Sequence, residues 1–185
     1  MEIRFLTPED ATAYRDLRLQ ALREAPTAFA SSYEQEAQLP LDHFAARLRP
    51  NGDGASGIWG ARCDRTHLIG MLGFSRETRL KRTHVGTLWS LYVSPGFRGQ
   101  GVAARLLDSA IAHARQLGGL RQLTLSVTAG NVAASALYQS RGFEPFGLER
   151  EALCVEGSYF DEQHLVLRLS SPSGASRPVT AAGGQ

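Results

Sequence analysis

The chain has 185 residues, which suffices for one domain that buries roughly 70% of the surface its unfolded form would expose. With 43% hydrophobic and 21% charged residues, its composition is that of a folded domain and excludes global disorder. A formal net charge of +2 at pH 7 does not predict a nucleic-acid partner, because such proteins concentrate cations on one face.

The N-terminal part of the chain predicts one strand and two helices. Residues 2–6 are short and half apolar, which is typical of a strand. Thr7 precedes a proline and two acidic residues and indicates a helix start with Thr7 as the N-cap. Residues 28–38 fit no single pattern, a short helix is expected after Pro40, and residues 50–54 have the composition of a loop.

The middle of the chain changes from helical to alternating periodicity. Residues 58–63 and 67–75 predict two strands of an antiparallel hairpin that turns at residues 64–66. The basic segment at residues 76–84 is expected to be a solvated loop, although its excess of cations leaves an anion-binding role open. Residues 85–93 predict the third strand of this run.

The remainder of the chain predicts helices and strands in alternation. A helix with one apolar stripe is expected from just after Gly101 to Gly118. A strand is expected at residues 123–127 and a short helix at residues 131–140. A closing hairpin follows, with its two strands at residues 143–154 and 159–169. This order predicts an α+β fold (α/β/α) with a mixed, mostly antiparallel central sheet flanked by helices.

A single domain is predicted for residues 1–169. From residue 170 onward the residues are small, polar and rich in proline and glycine, so the segment 170–185 is expected to be a disordered, dispensable tail. The N-terminus has no apolar stretch of the signal-peptide kind, and no apolar run approaches ~20 residues, which predicts a cytoplasmic protein without a membrane partner. Cys63 and Cys154 lack metal-like spacing and are expected to be reduced, core-type cysteines.

The most informative stretch is LYVSPGFRGQGVAARLL at residues 91–107, where a predicted strand meets a glycine-rich turn and then a helix. Such a turn holds phosphate, because glycines let the backbone approach and the free N–H groups of the helix favour negative charge. A P-loop fits poorly, since no lysine follows either glycine. A dinucleotide-binding fold also fits poorly, because the turn follows an antiparallel run and no acid stands at the ribose position.

Two blocks of sequence resemble motifs of one superfamily. The pattern V-x-P-x-x-R-G-x-G-x-A at residues 93–103 resembles the acetyl-CoA pyrophosphate motif of the GCN5-related N-acetyltransferase (GNAT) superfamily, with Arg98, Gly101 and Ala103 at its defined positions. The pattern N-x-x-A-x-x-L-Y-x-x-x-G-F at residues 131–143 resembles motif B of that superfamily, and the order and spacing fit. The resemblance covers roughly residues 3–169 and does not extend to a substrate-defined subfamily.

The resemblance implies that acetyl-CoA is the co-substrate, that no metal takes part, and that a primary amine attacks the thioester directly. Backbone N–H groups of the turn would hold the pyrophosphate, with the side chain of Arg98 adding charge. The main chain of the preceding strand would pair with the pantetheine arm and supply any oxyanion donor. The implied cofactor-binding residues are Leu91, Tyr92, Val93, Arg98, Gly99, Gln100, Gly101, Val102, Ala103, Asn131 and Tyr138.

The resemblance also implies a general acid. It places Tyr138 near the CoA sulfur, where a phenol that is protonated at pH 7 can give its proton to the departing thiolate. The alternative is that Tyr138 is an aromatic core contact. Asn131 occupies a position that contacts CoA and can equally cap the following helix.

The residue that deprotonates the amine stays open at this point. The candidates are a water chain or one of five side chains: Glu34, Glu36, His84, Asp161 and Glu162. The superfamily builds its acceptor site from the first helices and the final hairpin, which favours Glu34 and Asp161. Glu34 ranks first as the catalytic base.

The predicted function is therefore acetyl-CoA-dependent N-acetylation of a small amine, an amino-acid-like compound or a peptide N-terminus. One alternative is a non-catalytic acyl-CoA-binding module that regulates a partner, and another is a transferase of a longer acyl group. A homodimer through the apolar hairpin strands is left open.

Overall fold

The computed structural model describes residues 1–49, 54–64 and 67–169. Three predictions therefore lie wholly or partly outside the described residues: most of the loop at residues 50–54, two residues of the turn at 64–66, and the tail at 170–185.

Seven strands and five α-helices are present in the described part of the chain. The strands are β1 Glu2–Phe5, β2 Ser56–Arg62, β3 Leu68–Arg76, β4 Val85–Val93, β5 Gln122–Thr128, β6 Glu144–Val155 and β7 Ser158–Arg168. The helices are α1 Ala11–Glu24, α2 Tyr33–Ala37, α3 Leu41–Arg47, α4 Val102–Gln116 and α5 Val132–Gln139. All of these elements lie close to the predicted positions except α2, which lies in the segment 28–38 that fitted no single pattern. No helix within the described ranges is both long and apolar enough to cross a membrane.

The strands form one sheet in the order β1-β2-β3-β4-β5-β7-β6. Every neighbouring pair is antiparallel except β4 and β5, which are parallel. Helices α1 and α3 pack over one face, and α4 packs over the other. The predicted α+β fold with a mixed, mostly antiparallel sheet flanked by helices is thus confirmed.

Side-chain alternation along the strands divides the buried residues between two cores. On β3, Leu72 and Phe74 enter the core shared with α4, whereas Met71 enters the core shared with α1 and α3. On β4, Val93 and Tyr92 divide in the same way. The middle strands are therefore covered on both faces.

The central strands separate at the middle of the sheet. β4 and β5 pair only where residues 85–87 meet residues 122–124. Beyond that point the described residues of β4 form no pair with β5, although β4 stays paired with β3 as far as Val93. The side of β4 that faces β5 is consequently open from residue 88 onward.

The first helix begins as predicted, with a short 3₁₀ turn before it. Thr7 is the N-cap of the turn Pro8–Asp10, and α1 continues from Ala11. The Thr7 backbone N–H donates to the Asp10 carboxylate at 2.8 Å. Asp10 is buried and also accepts hydrogen bonds from the guanidinium groups of Arg4 and Arg62.

Asp10 should stabilise the fold in a pH-dependent manner. Burial by itself would raise the pKa of its carboxyl group, but hydrogen bonds from Arg4, Thr7 and Arg62 outweigh burial and hold the pKa well below its usual value. A depressed carboxyl pKa stabilises the folded state above the unfolded-state pKa, and this contribution is lost as pH falls through the folded-state pKa. Asp10→Asn should therefore lower the free energy of unfolding by about 2 kcal/mol at pH 7.

Denaturant unfolding at several pH values checks this expectation. The difference between wild type and Asp10→Asn should shrink once the pH falls below about 4, the usual range of an aspartate pKa. Asp16→Asn, at an exposed site on the same helix, is the control and should change stability by less than about 0.5 kcal/mol. If the difference in unfolding free energy between wild type and Asp10→Asn were the same at every pH from 7 downward, the depressed pKa of Asp10 would be contradicted.

The two cysteines lie at the surface, so the expectation that they are core-type residues is wrong. Cys63 follows β2 at a hairpin, and Cys154 lies on β6, the last strand of the sheet, where only one edge is paired. Both thiols are free, as expected. The ligand-type atoms of Cys63, Asp64 and His67 lie within 4.8 Å of one another at an exposed position, and the absence of a metal requirement stays a prediction.

Candidate active site

Three adjoining cavities meet where β4 and β5 separate. The turn cavity, about 620 Å³, lies between the end of β4, the glycine turn and helices α4 and α5. The gap cavity, about 70 Å³, lies between β4 and β5 themselves. The far cavity, about 530 Å³, lies on the side of α1–α3.

The gap cavity shares residues with each of the other two. With the turn cavity it shares Ala28, Leu91, Asn131, Ala134 and Tyr138. With the far cavity it shares Ala28, Leu88, Trp89, Ser90 and Ser126. Molecules in the turn cavity and in the far cavity could therefore meet within the gap.

The glycine turn has the geometry of an anion site. Gly99 and Gly101 have φ angles of 74° and 77°, in the left-handed region that favours glycine, and no atom lies within 4 Å of the Cβ position at either. The 15-residue helix α4 begins directly after Gly101. Its first intrahelical acceptor is the Gly101 carbonyl, bound by the Arg105 N–H, so the N–H groups of residues 102–104 are left for a ligand.

Arg98 is held beside this turn by the strand and by α1. Its Nε donates to the Val93 carbonyl at 2.9 Å, and its Nη2 donates to the Glu24 carboxylate at 3.3 Å. The Tyr92 hydroxyl donates to the same carboxylate at 2.5 Å, which lowers the pKa of Glu24, while burial and this acceptor raise the pKa of Tyr92. With 54% of its side chain exposed, Arg98 can still reach a bound anion.

Most of the predicted cofactor-binding residues surround the turn cavity. Ten of them line its wall: Leu91, Tyr92, Val93, Arg98, Gly99, Gly101, Val102, Ala103, Asn131 and Tyr138. Gln100 does not line the wall, and its amide Nε2 instead donates to the Gly96 carbonyl at 3.0 Å and braces the turn. Asn131 caps α5 as anticipated, because its side-chain oxygen accepts from the Ala134 N–H at 3.1 Å.

A β-bulge turns the backbone of β4 toward the gap. Met71 pairs with Tyr92 and Gly73 with Trp89, so one residue of β3 opposes the two β4 residues between them. One of these, Ser90, has a φ of 55°, which is costly for a non-glycine residue. The buried Arg18 of α1 supports it by donating to the Ser90 hydroxyl at 2.9 Å.

Tyr138 closes the gap cavity from the side of α5. The residue is 8% exposed, and its ring packs against Phe143 with centroids 5.9 Å apart. Burial raises the pKa of its hydroxyl to about 12. The phenol is therefore protonated throughout the neutral range and can act as a proton donor.

The structure separates the two glutamates of α2. Glu34 is exposed and lines a further cavity of about 600 Å³ beside β6, which adjoins the far cavity through residues 29–31. Glu36 is buried and accepts from Arg18 and Arg47, with N–O distances of 2.9 and 3.0 Å. Burial alone would raise the pKa of Glu36, but the two guanidinium groups outweigh burial and lower it.

The other candidate bases also differ in position. Glu162 lines the far cavity, and burial together with the charge of Glu149 raises the pKa of its carboxyl group despite the opposing effect of His164. The Asp161 carboxylate accepts from the Glu151 N–H at 2.9 Å, outside the three cavities. His84 is exposed and precedes β4, at the end remote from the glycine turn.

Sequence reasoning missed several polar residues of the far cavity. Arg18, Arg47, Trp89 and Ser126 line it, and Ser126 is hydrogen-bonded to His164 of β7. The only signal in the sequence was the polar alternation of β5, Thr-Ser-Thr at positions 124, 126 and 128. Which partners these residues meet depends on strand pairings that the sequence does not display.

Comparisons with known proteins agree with the fold. The model of the Acetyltransferase (GNAT) family matches residues 18–143. N-alpha-acetyltransferase RimI of Mycobacterium tuberculosis is 30% identical over 153 residues, 83% of this chain and 84% of RimI. L-2,4-diaminobutyric acid acetyltransferase of Streptomyces avermitilis is 32% identical over 90 residues, 46% of this chain, and the match spans about half of that relative (49%).

A solved structure shows the same fold. The structure of yncA from Salmonella typhimurium with its cofactor acetyl-CoA matches with a TM-score of 0.75 at 19% identity, over 95% of this chain and 98% of that chain. The family match covers both sequence motifs and the strands that surround the gap, and the curated relatives are named as acetyltransferases. The chain is an enzyme of the GNAT family of acetyltransferases.

Proposed function

We propose that this enzyme transfers the acetyl group of acetyl-CoA to a primary amine by direct attack, with CoA in the turn cavity and the amine in the far cavity. The observation that carries the proposal is the junction of these cavities at the gap between β4 and β5. Tyr138 lies on one side of that junction and the bulge at Ser90 on the other. Both reactants can thus meet at one point while the rest of each molecule stays in its own cavity.

The turn cavity fits CoA in charge and in shape. The free N–H groups at the start of α4 and the guanidinium of Arg98 would hold the pyrophosphate, and Gly99 and Gly101 permit its close approach. The open side of β4 at residues 91–93 would pair with the amides of the pantetheine arm as an added strand does. The apolar side chains of the cavity wall, including Leu137, would cover the arm.

Two groups at the gap would act on the reacting thioester. A backbone N–H of the β4 bulge would stabilise the oxyanion, a contribution typically worth a few kcal/mol. The Tyr138 hydroxyl would protonate the departing thiolate. The volume of the gap cavity, about 70 Å³, favours acetyl over longer acyl groups.

The acceptor would lie among charged residues. Glu162 lines the far cavity and can attract an ammonium group, and the adjoining cavity beside Glu34 extends the space along β6. An elongated site of this kind suits either a diamino acid or a peptide N-terminus. The relatives named L-2,4-diaminobutyric acid acetyltransferase and N-alpha-acetyltransferase RimI support this choice. Glu34 as the base and the cytoplasmic location stay predictions, and a homodimer stays open.

Release of CoA from acetyl-CoA across a panel of amines tests the proposal. The panel should contain L-2,4-diaminobutyrate, L-lysine and a short peptide with N-terminal alanine, and butyryl-CoA should replace acetyl-CoA in a parallel series. We expect turnover with at least one amine and a preference for acetyl-CoA. Tight binding of acetyl-CoA with no turnover of any amine would favour a regulatory acyl-CoA-binding module instead.

A further inference from the structure

A hydrogen-bonded chain of three side chains crosses the C-terminal strands next to the gap. Ser126 of β5 is paired in register with His164 of β7, and its Oγ lies 2.8 Å from His164 Nδ1. The opposite ring nitrogen, Nε2, lies 3.0 Å from the carboxylate of Glu149 on β6. Three adjacent strands thus each contribute one member.

The chemistry of the three groups sets the direction of the hydrogen bonds. An ionised carboxylate can only accept, so the Glu149 carboxylate requires the hydrogen of His164 to be on Nε2. Nδ1 of the neutral ring then carries a lone pair and accepts from the Ser126 hydroxyl. This is the arrangement in which an acid orients a histidine that in turn draws a proton from a hydroxyl.

Ser126 is the member that reaches the reaction space. It lines both the gap cavity, together with Tyr138, and the far cavity, together with Glu162. His164 lines none of these cavities and keeps 30% of its side chain exposed. The charged groups that face the ring are Glu149 from β6 and Glu162 from β7 itself, and the ring of Phe146 lies 5.9 Å away.

We propose that Ser126 is a catalytic residue that accepts the proton of the acceptor amine and passes its own hydroxyl proton to His164. The proposal rests on the function proposed above. One N–H bond of the amine breaks as its nitrogen bonds to the thioester carbon, a new O–H bond forms on Ser126, and the former hydroxyl proton moves to His164 Nδ1. The C–S bond of the thioester then breaks, and the CoA thiolate leaves with the proton of the Tyr138 hydroxyl. No electrons are exchanged with any other group.

The surroundings suit each step. The imidazolium formed on His164 lies next to the carboxylates of Glu149 and Glu162, which are paired across β6 and β7 and stabilise its charge. The His164 side chain is 30% exposed, so water has access to take up the proton after each turnover. Glu149 and His164 act through Ser126 and are positioning residues, whereas Glu162 would hold the incoming ammonium group in the far cavity.

Substitutions assayed with the most active amine of the panel test the relay. Ser126→Ala should lower kcat about 100-fold, within the usual range of general-base catalysis, and leave the Kd of acetyl-CoA within twofold of wild type. Ser126→Thr keeps the hydroxyl and should recover much of the loss. Ser109→Ala and His43→Asn, at sites outside the three cavities, are the matched controls and should leave kcat unchanged.

The pH profile separates a proton relay from a structural role. His164→Asn keeps an acceptor for the Ser126 hydroxyl but cannot take up a proton. If His164 takes up the proton, the acidic limb of the wild-type kcat profile should be absent from this variant. Retention of that limb would overturn the relay.

Two further outcomes would also overturn it. If the wild type turns over an amine and Ser126→Ala keeps half or more of the wild-type kcat, the relay is overturned. The proposed function then stays intact. Intact-protein mass spectrometry after incubation with acetyl-CoA alone should show no added acetyl group, and an acetyl ester on Ser126 would make the serine a nucleophile. If the wild type turns over none of the amines, the proposed function and the relay are both overturned.

Discussion

Replacement of Tyr138 by phenylalanine should lower kcat about 1,000-fold while the Kd of acetyl-CoA changes by less than about threefold. The substitution removes one oxygen atom and keeps the ring that packs against Phe143 and closes the gap cavity. The departing thiolate would then have to leave unprotonated. Burial raises the pKa of the Tyr138 hydroxyl because it disfavours the charged phenolate. The same burial disfavours a charged thiolate, so protonation of the departing sulfur lowers the energy of the products.

The pH dependence gives an independent check on Tyr138. A general acid is active while protonated, and burial raises the pKa of this hydroxyl to about 12. Loss of kcat through ionisation of Tyr138 should therefore begin only well above pH 10, and no alkaline limb near an ordinary tyrosine pKa should be seen. Tyr159→Phe, at a site that is 64% exposed, is the matched control and should behave as wild type. A loss of less than tenfold in Tyr138→Phe would make Tyr138 a packing residue only.

Glu36→Ala should lower the free energy of unfolding by about 4 kcal/mol, because it leaves a buried cation without its partner. The side chain of Arg18 is only 5% exposed and depends on Glu36 for two hydrogen bonds, through Nε at 3.1 Å and Nη2 at 2.9 Å. A guanidinium cannot shed its proton to escape the low dielectric. The same variant should loosen the support that Arg18 gives to Ser90 and lower kcat as well.

Chemical denaturation measures the loss of unfolding free energy in Glu36→Ala, provided that wild type and variant have the same m-value. Glu34→Ala lies two residues away on the same helix, is exposed, and should change stability by less than about 0.5 kcal/mol. The double variant Arg18→Leu/Glu36→Leu removes both buried charges and should be more stable than Glu36→Ala. If Glu36→Ala and Glu34→Ala had the same free energy of unfolding, the buried ion pairs would not contribute to stability. An intact kcat in Glu34→Ala would also exclude Glu34 as the base.

The glycine turn and its helix could be predicted because their information is local. The strand, the turn and helix α4 follow one another within residues 85–116, and the φ angles of Gly99 and Gly101 agree with glycine at those positions. Tyr138 and Asn131 belong to a second block that is equally continuous. Hydrogen bonds and sterics between near neighbours determine such segments, so their residue pattern already displays them.

The difference between Glu34 and Glu36 could not be predicted in the same way. Both glutamates occupy a five-residue helix whose sequence has no clear apolar stripe. Which of them is buried depends on how α2 docks against α1 and α3. Arg18 of α1 and Arg47 of α3 form ion pairs with the glutamate that is buried there. Intrinsic helix propensity is too weak to decide that question, and tertiary packing does.

The sequence by itself determined the class of fold, the order of elements and the residues around the turn cavity. Only the tertiary structure decided that β4 and β5 separate after three paired residues, that the cysteines are exposed, and that three strands bring together Ser126, His164 and Glu149. Those three residues are up to 38 positions apart in the chain. Contacts of that kind follow from strand pairing and register, which are properties of the whole sheet, so no single segment shows which partners its residues will meet.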